Sequence, residues 1–169
     1  MKKIIFLLLT ICATLITMAQ SEFSHPGIFV GNVVEDLDKS VKFYTEVIGM
    51  TKTGSFSVDK AKATELGLSD KYQLDVTVLK LEDSPQATEW KLMSFGTKPD
   101  RVKSQWLHDD TGMQYITILV NYLDPFIERI KKHNVKILSG TPSSLGDGKY
   151  FVLIQDPDGT FIELIGAMK

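Results

Sequence analysis

Three histidines are the first candidates for metal ligation or proton transfer, because imidazole titrates near neutral pH and binds divalent metals. They are His25, His108 and His133. None has a second donor at ligand-like spacing. His25 is followed by Pro26-Gly27, His108 sits in a polar stretch ahead of Met113, and His133 falls on the polar face of a helical pattern. Each reads as a solvated surface residue. The lone cysteine, Cys12, lies inside an apolar run near the start of the chain. One cysteine there supplies neither a disulfide nor a metal site. What remains is a carboxylate and an ammonium at matching places. Glu163 stands in Phe161-Ile162-Glu163-Leu164, after the tight turn Asp156-Pro157-Asp158-Gly159. Lys91 stands in the echoing segment Glu89-Trp90-Lys91-Leu92. Carboxylates serve as proton acceptors or metal ligands, and ammonium groups as partners of anions.

The elements that must position them alternate in type. Residues 27–34 read as a buried strand ended by Glu35-Asp36. Asp36 or Asp38 can cap a helix through Val47, whose Leu37, Val41, Tyr44 and Val47/Ile48 form one apolar stripe. Gly49 suits the left-handed position after it. Strands follow over 51–58, 73–81 and 89–95, with a short helix over 59–66 stopped by Gly67. Trp90 alternates with Lys91, which turns it towards the helix side of its sheet. Residues 96–112 form a polar connector carrying Trp106. The order then recurs. A strand covers 113–120, and Asp124-Pro125 opens a helix with Phe126, Ile127, Ile130 and Val135 on its apolar face. A short strand at 137–138, a Gly/Ser/Pro loop over 139–148 and strands over 150–156 and 160–165 complete the chain. The segments 33–38 and 119–124 open the two helices alike. The sequence is thus an internal repeat of strand, helix, strand, strand, strand.

The N-terminus reads as a leader. Lys2 and Lys3 precede an apolar run over 4–16, and Thr17 and Ala19 fit the small-residue positions of a signal-peptidase site before Gln20. The run falls short of the roughly 20 apolar residues of a spanning helix, and polar Gln20-Ser21-Glu22 follows it. Residues 1–19 are expected to be a signal peptide, and 20–169 a secreted or periplasmic domain with no membrane attachment. Cleavage removes Cys12, which suits an oxidising compartment. It also removes two lysines, so 17 basic residues face 21 acidic ones and the net charge is −4. Without a basic excess, nucleic-acid binding is not expected. The 150 residues left suit one compact domain.

The stretch from Val34-Glu35-Asp36-Leu37-Asp38 through Phe43-Tyr44 to Val47-Ile48-Gly49-Met50, and the closing Gln155 to Leu164, together resemble the vicinal-oxygen-chelate superfamily of glyoxalases, bleomycin-resistance proteins and dioxygenases. The resemblance implies an α+β fold of two βαβββ modules whose sheets curl around one cleft. Module one would span about 26–98, the connector 99–111 and module two about 112–167. The family's chemistry uses a divalent metal held by residues on the first and last strand of each module. His, Glu or Gln fill those places. Here they correspond to Phe29, Lys91, Tyr115 and Glu163. Phenylalanine has no donor atom, lysine is a cation, and phenol ligates poorly unless ionised. One carboxylate does not hold a catalytic metal against water. No metal or other cofactor is therefore expected.

In place of the metal, Lys91 is expected to neutralise Glu163, since a lone buried charge costs several kcal/mol. Such a pair is either a structural relic or part of a site. In a binding site, Lys91 attracts an anionic group, Tyr115 hydrogen-bonds it, and Phe29 and Met93 form an apolar wall around a small oxygen-rich or aromatic molecule. In a metal-free enzyme, Glu163 acts as general base or Tyr115 as general acid, beside a Lys91 that stabilises an enolate-like anion. The alternative keeps one divalent metal, a non-standard ligand set and lyase, isomerase or dioxygenase activity. The resemblance also implies a homodimer, in which Trp106 either closes the cleft or meets a second subunit. Residues 59–71 and 139–148 are candidates to cover the cleft mouth, against the plainer reading of surface connections.

Overall fold

The structure, a computed structural model, describes residues 22–98 and 103–169. The leader expected over 1–19 and residues 99–102 of the connector lie outside the described residues. Module one contains β1 (Val30–Val33), α1 (Leu37–Phe43), β2 (Thr51–Val58), α2 (Lys60–Glu65), β3 (Leu74–Lys80) and β4 (Trp90–Ser94). Its strands lie in the order β1-β4-β3-β2, with β1 parallel to β4 and the other pairs antiparallel. Module two contains β5 (Tyr115–Tyr122), α3 (Asp124–Lys132), β6 (Ser143–Gly146), β7 (Lys149–Gln155) and β8 (Phe161–Ala167), in the order β5-β8-β7-β6. Each module is a βαβββ-like unit, and the class is α+β. Neither sheet closes on itself, and among the described residues no ladder joins them.

Local chemistry explains the helix ends. Asp36 Oδ1 accepts the Lys39 N–H at 3.0 Å and caps α1. The helix then widens into one π-type turn over Tyr44–Ile48 and stops at Gly49, whose φ of 90° is open to glycine. Asp59 caps α2 in the same way, through Lys62 N–H at 3.0 Å. Pro125 sits in the first turn of α3, where its missing N–H costs nothing.

One strand lies elsewhere than its sequence suggests. Residues 137–138 are not a strand; Leu138 only donates its N–H to Leu153 O at 2.8 Å. β6 lies inside the stretch read as a loop, pairing Ser143 with Phe151 and Gly146 with Lys149. Its residues are all exposed, so the edge strand carries no apolar alternation to read. The hairpin turn was the available signal: Gly146 and Asp147 both take positive φ, 87° and 49°.

One core is shared by both modules, and a smaller cluster of Leu74, Val76 and Val78 with Val58, Met93 and Phe95 packs on the first sheet. Val34, Tyr44, Val47, Leu79, Trp90 and Leu92 of module one are buried with Ile118, Ile130, Val152, Ile154, Ile162 and Leu164 of module two. Trp90 packs at 5.6 Å from the Tyr44 ring, on the helix side of its sheet as its alternation with Lys91 implies. Polar bonds reinforce this joint. The Asp156–Gly159 turn reaches α1, where Asp158 accepts the Glu35 N–H and the Ser40 hydroxyl, both at 3.0 Å. In return, Arg129 on α3 donates to the Val47 and Ile48 carbonyls at 2.8 and 3.1 Å. Among the described residues no helix is long and apolar enough to cross a membrane.

Candidate functional site

Strand periodicity assigns the second face of each sheet. Val30 of β1, Trp90 and Leu92 of β4, Ile116, Ile118 and Val120 of β5, and Ile162 and Leu164 of β8 belong to the common core or pack against it, so their odd-numbered neighbours point away from it. On the first sheet that face carries Gly31, Val33, Lys91 and Met93, with Phe29 just ahead of β1. On the second it carries Tyr115, Thr117, Phe161 and Glu163. All five candidate residues from the sequence therefore lie on core-opposed faces, in two groups.

Phe29 and Lys91 come together, and Met93 shares their face. Lys91 Nζ lies 5.0 Å from the centroid of the Phe29 ring, a cation–π contact. Met93 lies over Gly31, where an added Cβ would stand 2.7 Å from Met93 Cε. Lys91 also pairs with Glu89 at 3.2 Å, and Lys80 approaches the same carboxylate at 3.9 Å. Two cations thus share one half-buried carboxylate, leaving a net positive charge beside an aromatic ring. His25 packs on Phe29 with tilted rings, 5.0 Å between centroids, and its Nε2 donates to Pro85 O at 2.9 Å. That carbonyl raises the imidazole pKa by favouring the protonated ring.

Tyr115 and Glu163 form the second group. In the parallel ladder Tyr115 stands opposite Phe161 and Thr117 opposite Glu163. The Thr117 hydroxyl donates to Glu163 Oε2 at 2.6 Å, a short bond to a charged acceptor. Tyr115 is half exposed. The neutralisation expected between Lys91 and Glu163 is not made: Lys91 is paired with Glu89, and Glu163 is held by Thr117. The reason is register. Glu89 lies two residues before Lys91, just ahead of the same strand, and a neighbour so close outcompetes a carboxylate on another sheet. Thr117 is the residue directly across from Glu163. Both partners were readable from strand period and pairing, and sequence reasoning missed both. Among the described residues no hydrogen bond, ion pair or ring contact links the two groups.

The same face of the second sheet continues into a cavity of about 350 Å³. Phe151, Leu153 and Phe161 form its floor, and Leu153 stands directly opposite Glu163. Its roof is Trp106-Leu107 of the connector, and Lys136 and His108 stand at its margin. A 3-10 turn over Leu107–Asp109 carries this roof. Asp109 Oδ2 accepts the N–H groups of Gln105 and Trp106 at 2.8 Å each, and Gln155 Nε2 donates to Ser104 O at 2.8 Å.

The four places that the resemblance assigns to metal ligands carry the phenyl ring of Phe29, the Lys91 ammonium paired with Glu89, the Tyr115 phenol and the Glu163 carboxylate bonded to Thr117. Among the described residues no three His, Cys, Asp or Glu side chains gather at metal-binding distance. His133 lies 3.6 Å from Glu46 at the end of α3, and His108 lies 3.7 Å from Asp109.

Known proteins agree with this architecture. The structure is similar to a glyoxalase family protein from Bacillus cereus, with a TM-score of 0.69 and 21% identity over 90% of this chain and 99% of that one. It is similar to a trypanothione-dependent glyoxalase I from Leishmania major at TM-score 0.56 and 23% identity, over 82% and 84% of the two chains. A glyoxalase/bleomycin resistance protein/dioxygenase domain from Frankia follows at TM-score 0.58 and 18% identity, over 88% and 93%. At such identities these likenesses concern the fold alone. The sequence profile of the Glyoxalase/Bleomycin resistance protein/Dioxygenase superfamily matches residues 28–164, and the chain belongs to that superfamily.

Proposed function

We propose that this is an exported superfamily member with a degenerate metal site, which binds a small oxygen-rich or aromatic molecule without metal between the core-opposed faces of its two sheets. The two faces form one curled cleft in this reading. The observation that carries it is Lys91, an ammonium 3.2 Å from Glu89 at a place where the family's chemistry needs a ligand atom. Phe29 at a second such place removes another donor. Lys91, with Lys80 sharing the same carboxylate, attracts an anionic group. Tyr115 hydrogen-bonds it, and Phe29 and Met93 form the apolar wall. Glu163, oriented by Thr117, supports a second reading in which it serves as general base, with Tyr115 as general acid, in a metal-free enzyme.

The composition of residues 1–19 supports export, with cleavage before Gln20, a periplasmic or secreted domain over 20–169 and no membrane attachment afterwards. The module boundaries near 26–98 and 112–167, and a homodimer, belong to the same proposal. Intact mass of the exported protein and its size in solution test these points.

The deciding measurement is metal content, as purified and after incubation with Fe, Mn, Ni and Zn followed by desalting. The reading expects no stoichiometric metal in any case. One tightly held equivalent overturns it and restores a metal-dependent lyase, isomerase or dioxygenase with an unusual ligand set. A thermal-shift screen against antibiotics and aromatic acids then looks for the ligand, since a molecule that prefers the native state raises Tm.

A further inference from the structure

We infer that the cavity under Trp106 is a second binding pocket, apart from the Lys91 group, and that it takes the apolar body of a small aromatic monoanion whose charge meets Lys136. The inference goes beyond the metal-free cleft reading and stands or falls apart from it.

Four observations carry it. The volume of about 350 Å³ lies at the small end of ligand sites, which run from roughly 300 to 1,000 Å³. The floor is apolar, because Phe151, Leu153 and Phe161 project from one face of two paired strands. Phe161 is buried, yet it lies outside the common core and lines the cavity. The roof is an aromatic plate. Trp106 is 58% exposed, an exposure that leaves much apolar surface in water, but it sits on a turn pinned by Asp109 and Gln155. A fixed, exposed aromatic is preorganised for stacking and loses little entropy when a ring covers it.

The charge sets the ligand's sign. Among the described residues no acidic side chain lines the cavity, whereas Lys136 and His108 do. The neighbouring Asp109 already accepts two backbone N–H groups and faces His108. Lys136 has no acidic partner among the described residues. Glu163, across from the floor residue Leu153, repels a second anion and so directs the charged end of the ligand towards Lys136.

The test uses 4-phenylbutyrate and 4-phenylbutylamine, which share a ring and a chain but differ in the sign of the terminal charge. Binding is read by calorimetry and by acrylamide quenching of tryptophan fluorescence. The chain has two tryptophans and Trp90 is buried, so quenching reports Trp106. The acid is expected to bind and shield Trp106, and the amine to bind at least about tenfold more weakly, the equivalent of one charge-assisted hydrogen bond. Lys136→Glu, at an exposed position, should reverse that order, and Trp106→Ala should weaken the acid about tenfold or more. Equal binding of acid and amine, no shielding of Trp106, or indifference to Lys136→Glu overturns the pocket. Binding of the acid that is lost in Lys91→Ala but kept in Trp106→Ala and Lys136→Glu also overturns the pocket, and leaves the metal-free cleft standing. No binding of either probe overturns the pocket alone, because the cleft reading is judged by metal content and the wider screen.

Discussion

The Tyr44 hydroxyl donates to Asp156 Oδ2 at 2.9 Å, a buried bond between a helix of module one and the closing turn of module two. Asp156 is saturated by this contact and others: Asn32 Nδ2 donates to the same oxygen, and the N–H groups of Asp158 and Thr160 donate to Oδ1. One carboxylate thus ties the tight turn to the helix packed against it. Tyr44→Phe removes one donor from a buried acceptor and is expected to cost about 1–3 kcal/mol in unfolding free energy. Urea denaturation of the two proteins at neutral pH checks it. An unchanged midpoint would show that the turn does not need the phenol.

The same pair predicts a pH dependence. Burial raises the Asp156 carboxyl above the ordinary carboxylate value, outweighing the N–H and hydroxyl donors that lower it. Burial and the adjacent carboxylate likewise raise the Tyr44 phenol, which stays protonated. A carboxyl raised in the native state binds its proton more tightly there than in the unfolded chain. Its contribution therefore favours folding as pH falls through the native pKa, and that gain is lost as pH rises. Phenylalanine at position 44 raises the native pKa further, because it removes a donor that favours the charged form. The cost of Tyr44→Phe should accordingly shrink between pH 7 and about pH 4. A pH-independent difference would place Asp156 outside the titrating groups.

Lys91→Ala separates the ion network from the fold. Glu89 keeps Lys80 as a partner, and Glu163 keeps Thr117, so no buried charge is stranded. The stability change should stay within about 1 kcal/mol, as for other partly exposed ion pairs. An anionic ligand of the cleft should bind markedly more weakly to the variant. A large loss of Tm without ligand would mean that Glu163 depends on Lys91 after all.

Much of the fold was legible because its residues obey strong local rules. The stripe Leu37, Val41, Tyr44 and Val47, the Gly49 stop and the repeated segment order all reflect burial on one side of each element. β6 was hidden because both of its faces meet water, so no periodicity marks it. Lys91, Met93, Tyr115 and Glu163 lie on core-opposed faces because the side-chain period of a strand is fixed. Their partners were misjudged because pairing follows register and distance, while charge complementarity alone ranks a remote carboxylate beside a near one. The cavity under Trp106 needed the path of the connector and of residues 136–139, which no local rule gives.

Gly166→Ala probes the close approach of β5 and β8. An added Cβ would stand 2.5 Å from the Val120 carbonyl oxygen, where the ladder between the strands is irregular. The obstacle is backbone, so a rotamer change cannot relieve it. The substitution should cost about 1–3 kcal/mol, the usual range for overpacking, and reduce protection of β5 amides in hydrogen exchange. Gly54→Ala is the control, because open space surrounds that position. Similar losses in both variants would point to general strand effects and not to this contact.

Ser40 and Asp158 provide the clearest measure of coupling between the modules. Ser40 is buried on α1 and donates to Asp158 Oδ2 at 3.0 Å, while Oδ1 takes the Glu35 N–H just ahead of the same helix. Asp158→Ala deletes both acceptors, whereas Ser40→Ala deletes one donor. If the contact ties the modules, the double variant should be less destabilised than the sum of the singles, with a coupling of roughly 0.5–2 kcal/mol, the range for residues in one hydrogen-bond network. Unfolding should also remain a single transition in every variant, because the apolar core spans both modules and survives the loss of one polar bond. Strict additivity would mean that the turn and the helix are held by packing alone. Two separate transitions would mean that the polar bonds, and not the shared core, make the modules fold as one unit.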